Sequence, residues 1–140
     1  MKHLLKDWKR YMSETKKVDS KKVAKAIMHS GGEFLALQND EETLDLPGGH
    51  LLEEEEELEG LAREVKEETQ LDIDVSRAHK LMERGRTTFY LLPLPGQPIK
   101  TSKEHRGYRR IKFEDYKNYN FSKGYGEAVQ RAKQTLEEEQ

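Results

Sequence analysis

Glu64, Glu67 and Glu68 stand at positions i, i+3 and i+4, so on a helix their carboxylates crowd one patch. Like charges at that spacing repel, by roughly 0.2–0.5 kcal/mol per pair. A cation would turn the repulsion into attraction, and hard divalent cations choose carboxylate oxygens. Beside the patch runs an apolar stripe, Leu58, Leu61, Ala62, Val65 and Thr69, spaced to face a core. Gly48 and Gly49 precede the stretch and let backbone come close to a bound group. These residue types suggest metal-assisted chemistry on a helix that its own apolar stripe holds still.

The run Glu53–Glu57 between the glycines and the stripe invites the same reading but reads better as surface. Glu53, Glu54, Glu56 and Glu57 form a solvated face early in the helix, where negative charge suits the macrodipole. Arg63 and Glu67 are i and i+4, so the guanidinium can brace a carboxylate of the patch.

The elements around this helix follow from hydropathy patterning. The N-terminal stretch 3–17 places Leu4, Leu5, Trp8, Tyr11 and Met12 at helical spacing, an amphipathic helix with Trp8 as a possible interface anchor. Val23–Met28 and Phe34–Leu37 read as two strands joined by a Gly31-Gly32 turn. A third strand leads from Leu44 into Pro47-Gly48-Gly49, and after the helix Leu71–Val75 alternates as a half-buried strand should. Lys80–Met82, Thr87–Leu92 and Arg106–Phe113 supply further strands, the last with Tyr108 and Ile111 or Phe113 as inward residues. Glu127–Glu138 reads as a helix with Ala128, Val129, Ala132 and Leu136 on one face. The order β-β-β-α-β-β-β-β-α predicts a mixed sheet between helices: an N-terminal extension over 1–17 and a single domain over 18–140.

Composition bounds the function. With 34% hydrophobic and 37% charged residues in 140, the core is lean and the surface heavily charged. A net charge of -2 from nearly balanced signs points to neither a nucleic-acid binder nor an acidic tail. There is no cysteine, hence no disulfide or thiolate metal site. No apolar run reaches the roughly 18 residues of a membrane span. A soluble cytoplasmic protein is the expectation.

Written out, the central spacing is Gly49, five residues, Glu55, seven residues, Arg63-Glu64-Val65, one residue, Glu67-Glu68, one residue, Gln70-Leu71. This resembles the Nudix box, Gly-x5-Glu-x7-Arg-Glu-U-x-Glu-Glu-x-Gly-U with U aliphatic, in all specified positions but one. The resemblance runs from about Lys22 to the C-terminal helix and implies a Nudix-type α/β/α sandwich. It implies hydrolysis of a nucleoside diphosphate linked to another moiety, with Mg²⁺ or Mn²⁺. Glu64, Glu67, Glu68 and the Gly48 carbonyl would be the metal ligands, with Glu64 or Glu68 helping to deprotonate water. Arg63 would orient the catalytic glutamate. Ser102-Lys103-Glu104-His105 with Tyr108-Arg109 is similar to a later Nudix segment, which makes Glu104 a fourth carboxylate candidate. By contrast, Gly31-Gly32-Glu33-Phe34 spells the diguanylate cyclase signature, but only as four residues of a hairpin turn.

Three positions depart from the family pattern. Gln70 replaces a glycine that caps the helix in a left-handed conformation, and Leu52 and Glu54 stand where many relatives carry glutamate and glycine. The loop before Glu55 is therefore expected to differ in shape. For substrate contacts, Arg84 and Arg86 could meet phosphates, and Tyr90 or Phe89 could stack on a base. Gln38 stands where relatives often have a lysine or arginine. A (d)NTP or dinucleoside polyphosphate is the expected substrate, with ADP-ribose or another nucleotide sugar as the alternative. The rival function is a Nudix-fold protein that binds a nucleotide or RNA end without cleaving it. Membrane and nucleic-acid partners are not expected, and oligomeric state is open.

Overall fold

The computed structural model describes residues 18–39 and 42–139, with side chains from residue 21 onward. The helix expected over 3–17 lies outside the described residues. Strand β1 (Val18–Ser30) is the centre of a seven-stranded sheet. On one side it pairs in parallel with β6 (Thr87–Pro93), from Val23↔Thr87 to His29↔Pro93. On the other it pairs antiparallel first with β4 (Gly48–Leu52) and then, at its far end, with β2 (Glu33–Gln38). Strand β3 (Leu44–Asp45) and β7 (Gly107–Lys112) flank β2, and β5 (His79–Arg84) closes the opposite edge against β6.

Alternation along β1 divides the interior in two. Ala24, Ala26 and Met28 point to one face, where Leu61 and Val65 of helix α1 (Glu57–Thr69) cover them. Ile27 points to the other, covered by Ala128, Val129 and Ala132 of helix α2 (Gly126–Glu138). The sheet thus lies between helices, the expected sandwich of a mixed sheet.

Several expected elements shift. Leu71–Val75 is not a strand: the segment runs without regular pairing into a 3-10 turn over Val75–Arg77. Asp74 accepts the Ser76 amide and caps that turn, while the Asp72 amide donates to Gln97, so side chains supply what a strand ladder would. Leu71 is buried, yet Val75 is 39% exposed, so the alternation buries only its first residue fully. Tyr108, expected inward, is 45% exposed, and Ile111 and Phe113 take the interior places. Helix α1 begins at Glu57 with Glu56 as its cap, so Glu53 and Glu54 belong to the turn after β4, not to the helix.

Two of the three departures keep the backbone a glycine would have. Gln70 caps α1 at φ 66° and donates its amide to the Lys66 carbonyl, while Glu54 adopts φ 66° in the turn. The loop before Glu55 therefore carries a glycine-like conformation at Glu54. A residue with a Cβ in this region costs up to about 1 kcal/mol relative to glycine. Gln70→Gly and Glu54→Gly are each expected to raise the free energy of unfolding by about 0.5–1 kcal/mol, read from urea midpoints.

Candidate active site

The apolar stripe does what its spacing requires. Leu61 and Val65 are fully buried against the sheet, and Glu64 and Glu68, one turn apart on the neighbouring edge of the helix, are only 7% and 8% exposed. Arg63 gathers the carboxylates around it. Its Nε and Nη2 donate to both oxygens of Glu55 at 2.8 and 3.0 Å, and Nη1 donates to Glu64 at 3.1 Å and Glu67 at 3.4 Å. Nη2 also reaches the His50 carbonyl at 3.2 Å, and Glu55 Oε1 accepts the Leu52 amide, so the cluster is tied to β4. Burial opposes the guanidinium's charge, but the Glu55 hydrogen bonds and the Glu64, Glu55 and Glu67 carboxylates outweigh it and hold its pKa above the usual range. The bracing of Glu67 by Arg63 is present as expected; the fork on Glu55 is stronger, and helical spacing could not reveal it, because Glu55 precedes the helix.

Glu68 is held differently. Its Oε1 accepts the Gly48 amide at 2.8 Å, and its Oε2 lies 3.9 Å from Nε2 of His105. Burial pushes its carboxyl up to about 8, against the lowering effects of the Gly48 amide and Lys25, with Glu64 and Asp45 adding to the rise. Gly48 owes its identity to space: at φ 127°, a Cβ would lie 2.1 Å from the Ala24 carbonyl oxygen. At Gly49 a Cβ would stand 2.9 Å from the Glu64 carboxylate, so glycine here makes room for that side chain.

Among the described residues, no three acidic or imidazole groups converge as a ready metal cage. Glu64 and Glu67 turn toward Arg63, and Glu68 toward Gly48. The donor set still fits a hard divalent cation. Three carboxylates share two turns of helix, and Glu68 is a buried carboxylate that a cation would stabilise. Ser102, whose amide donates to the Glu68 backbone carbonyl, has its Oγ buried with no hydrogen-bond partner among the described residues, a polar atom that a water or ligand oxygen would satisfy.

The later segment arrives at the patch by its backbone. The Lys100 and Ser102 amides donate to the Thr69 and Glu68 carbonyls, capping the end of α1, and the Arg106 amide donates to Gln38. This brings His105 beside Glu68, whereas Glu104, the expected fourth carboxylate, is exposed on the loop.

The expected substrate residues fare unevenly. Arg84, at the end of β5, and Arg86, in the turn to β6, are exposed at the Val23 end of β1, where β1 also pairs with His50. Tyr90 is a correction. It is 8% exposed in the core beneath α1, and its hydroxyl donates to Glu57, so its ring is no stacking surface for a base. Phe89 is buried on the opposite face, against Tyr125. A strand covered on both sides hides both residues. Gln38 is half-buried and lines an open cleft of about 420 Å³ with Glu42, Leu44, Arg109, Tyr119 and Asn120.

Sequence reasoning passed over a buried polar chain behind the patch. Lys25 Nζ donates to the Leu46 carbonyl at 3.0 Å and lies 3.4 Å from both the Gly48 carbonyl and Asp45 Oδ2. Asp45 Oδ1 accepts the Leu46 amide at 2.8 Å and the Tyr125 hydroxyl. The signal was available: a lone lysine between Ala24 and Ala26 in an apolar strand. Tyr125→Phe removes one donor and leaves Asp45 its other partners. It is expected to cost about 1 kcal/mol, measured by urea denaturation.

The chain matches the NUDIX domain family over residues 21–132. Among solved structures it is similar to a C. elegans Ap4A hydrolase, at 22% identity and a TM-score of 0.66, covering 84% of this chain and 98% of that one. A Streptococcus suis ADP-ribose pyrophosphatase is similar at 20% identity and a TM-score of 0.67, covering 81% and 90%. A MutT protein from Methanosarcina mazei is similar at 24% identity and a TM-score of 0.60, covering 84% and 94%. No curated protein matches the sequence. At these identities the likenesses speak for the fold, while the domain match spans most of the chain: it belongs to the Nudix hydrolase family.

Proposed function

We propose that this chain hydrolyses a pyrophosphate bond in a nucleoside diphosphate linked to another moiety, with a (d)NTP or dinucleoside polyphosphate as substrate. The observation that carries the reading is the arrangement of Glu64, Glu67 and Glu68. Arg63 ties the first two to β4, and the Gly48 amide holds the third. Those three carboxylates and the Gly48 carbonyl would hold Mg²⁺ or Mn²⁺. A bound divalent ion supplies charge neutralisation for the polyphosphate and activation of water.

The chain's own residues do the rest. Arg63 keeps Glu64 and Glu67 from splaying apart and fixes them relative to the glycine turn. Glu68 uses Oε1 for the Gly48 amide, so Oε2 is the oxygen to take a proton from attacking water. The exposed Arg84 and Arg86 are available to polyphosphate, and the cleft beside Gln38 to the remainder of the nucleotide. We place the activity in the cytoplasm, in keeping with a cysteine-free sequence.

The test is product release from dNTPs, diadenosine tetraphosphate and ADP-ribose with Mg²⁺, repeated after EDTA. Hydrolysis of one class with loss in EDTA is the expected result. Binding of a nucleotide with no product at any Mg²⁺ concentration would favour the non-catalytic rival.

A further inference from the structure

We propose that Lys25 is a positioning residue that fixes the Gly48 peptide, and through it Glu68; its catalytic consequence rests on the hydrolase reading above. Lys25 is 7% exposed, and a buried ammonium is retained only where it is hydrogen-bonded and paired. All three of its acceptors belong to one short segment, Asp45 to Gly48. That segment is the turn from β3 into β4, and it carries the Gly48 amide that Glu68 accepts. Two attachments therefore meet at one residue: Lys25 holds the Gly48 carbonyl, and Glu68 holds its amide.

Gly48 sits at φ 127°, a region open to glycine, where the backbone alone imposes little preference. The Pro47 carbonyl, in the same peptide unit as the Gly48 amide, accepts the Ala26 amide, and Gly48 pairs with Lys25 across the β1–β4 ladder, so the backbone is tied to β1 at this point. The ammonium adds bonds on either side of that point, to the Leu46 and Gly48 carbonyls. Tyr125 extends the support through Asp45 to the start of α2. Without Lys25 the carbonyls on either side of the Pro47–Gly48 peptide lose their charged donor, and the Gly48 amide can shift relative to Glu68, whose orientation it sets. A displacement of about 1 Å in a catalytic group can cost on the order of a hundredfold in rate.

The test compares Lys25→Met with the double variant Lys25→Met/Asp45→Asn. The double keeps the charge balance, and the amide oxygen introduced by Asp45→Asn can still accept from Leu46 and Tyr125. It therefore remains informative if the single variant folds poorly. Amide hydrogen exchange is read first, on protein in EDTA with no nucleotide. Protection of the Gly48 amide should fall by about tenfold or more, while Ile27 and Leu92 in the β1–β6 ladder keep theirs. With the nucleotide that wild type turns over best, kcat should fall by about tenfold or more while KM stays within about twofold.

If Gly48 protection is unchanged in a folded variant, the proposal is overturned, whatever kcat does. It is equally overturned if protection falls and kcat in a hydrolysing wild type does not. If protection falls but wild type hydrolyses none of the nucleotides, the positioning role stands and the hydrolase reading fails.

Discussion

Glu68→Gln is expected to abolish Mg²⁺-dependent hydrolysis, by on the order of a hundredfold or more in kcat, and yet to stabilise the protein in EDTA. Glu68 is 8% exposed and its carboxyl is pushed up to about 8. The folded value lies above the ordinary unfolded one near 4.3, so the fold prefers the protonated form. Stability is then greatest below the unfolded pKa and is lost as pH rises toward about 8. Glutamine removes that loss while its carbonyl can still accept the Gly48 amide. The gain should be about 1–3 kcal/mol near neutral pH and should vanish near pH 4. Urea denaturation in EDTA across that range reads it directly. Full Mg²⁺-dependent turnover by Glu68→Gln would remove Glu68 from the site.

Arg63→Met should do damage on both counts. It strips the shared donor from Glu55, Glu64 and Glu67, whose side chains are 13%, 9% and 15% exposed. Removing one partner of a buried ionic cluster costs about 3–5 kcal/mol, because the remaining charges stay desolvated and repel one another. The loss here should approach about 3 kcal/mol, with kcat down by on the order of a hundredfold as Glu64 and Glu67 lose their brace. Arg63→Lys should restore little of either, since one ammonium cannot fork onto both Glu55 oxygens and still reach Glu64. Mg²⁺ titration of the variants separates the two effects. A stability loss without a rate loss would make Arg63 structural only.

What could be read from the residues was local or periodic. The stripe Leu58–Val65, the carboxylate spacing and the strong strands Val23–Met28 and Thr87–Leu92 all carry their geometry in a few neighbours, and each appears where its pattern places it. Leu71–Val75 misled because alternation describes exposure and not pairing: Asp72 and Asp74 find side-chain and turn partners instead of a neighbouring strand. Tyr90 misled because a strand buried on both faces has no free side to offer a ligand. The fork of Arg63 on Glu55 and the reach of Lys25 to Asp45–Gly48 depend on how distant segments cross, which no single period encodes.

The parallel pairing of β1 with β6 bears on how the molecule comes to be active. Residue 23 finds its partner at residue 87, and residues 33–38 find theirs at 107–112. The carboxylate helix is synthesised before either of these partner segments. Long loops must close before such contacts reward the closure, which puts folds of this kind toward the slow end of the small-protein range. Throughout that interval the acidic helix can attract cations but has no completed sheet to press against. The residues that brace the carboxylates, Lys25, Gly48, His50 and Arg63, are made no later than the carboxylates themselves, and the strands that close the sheet around them come last.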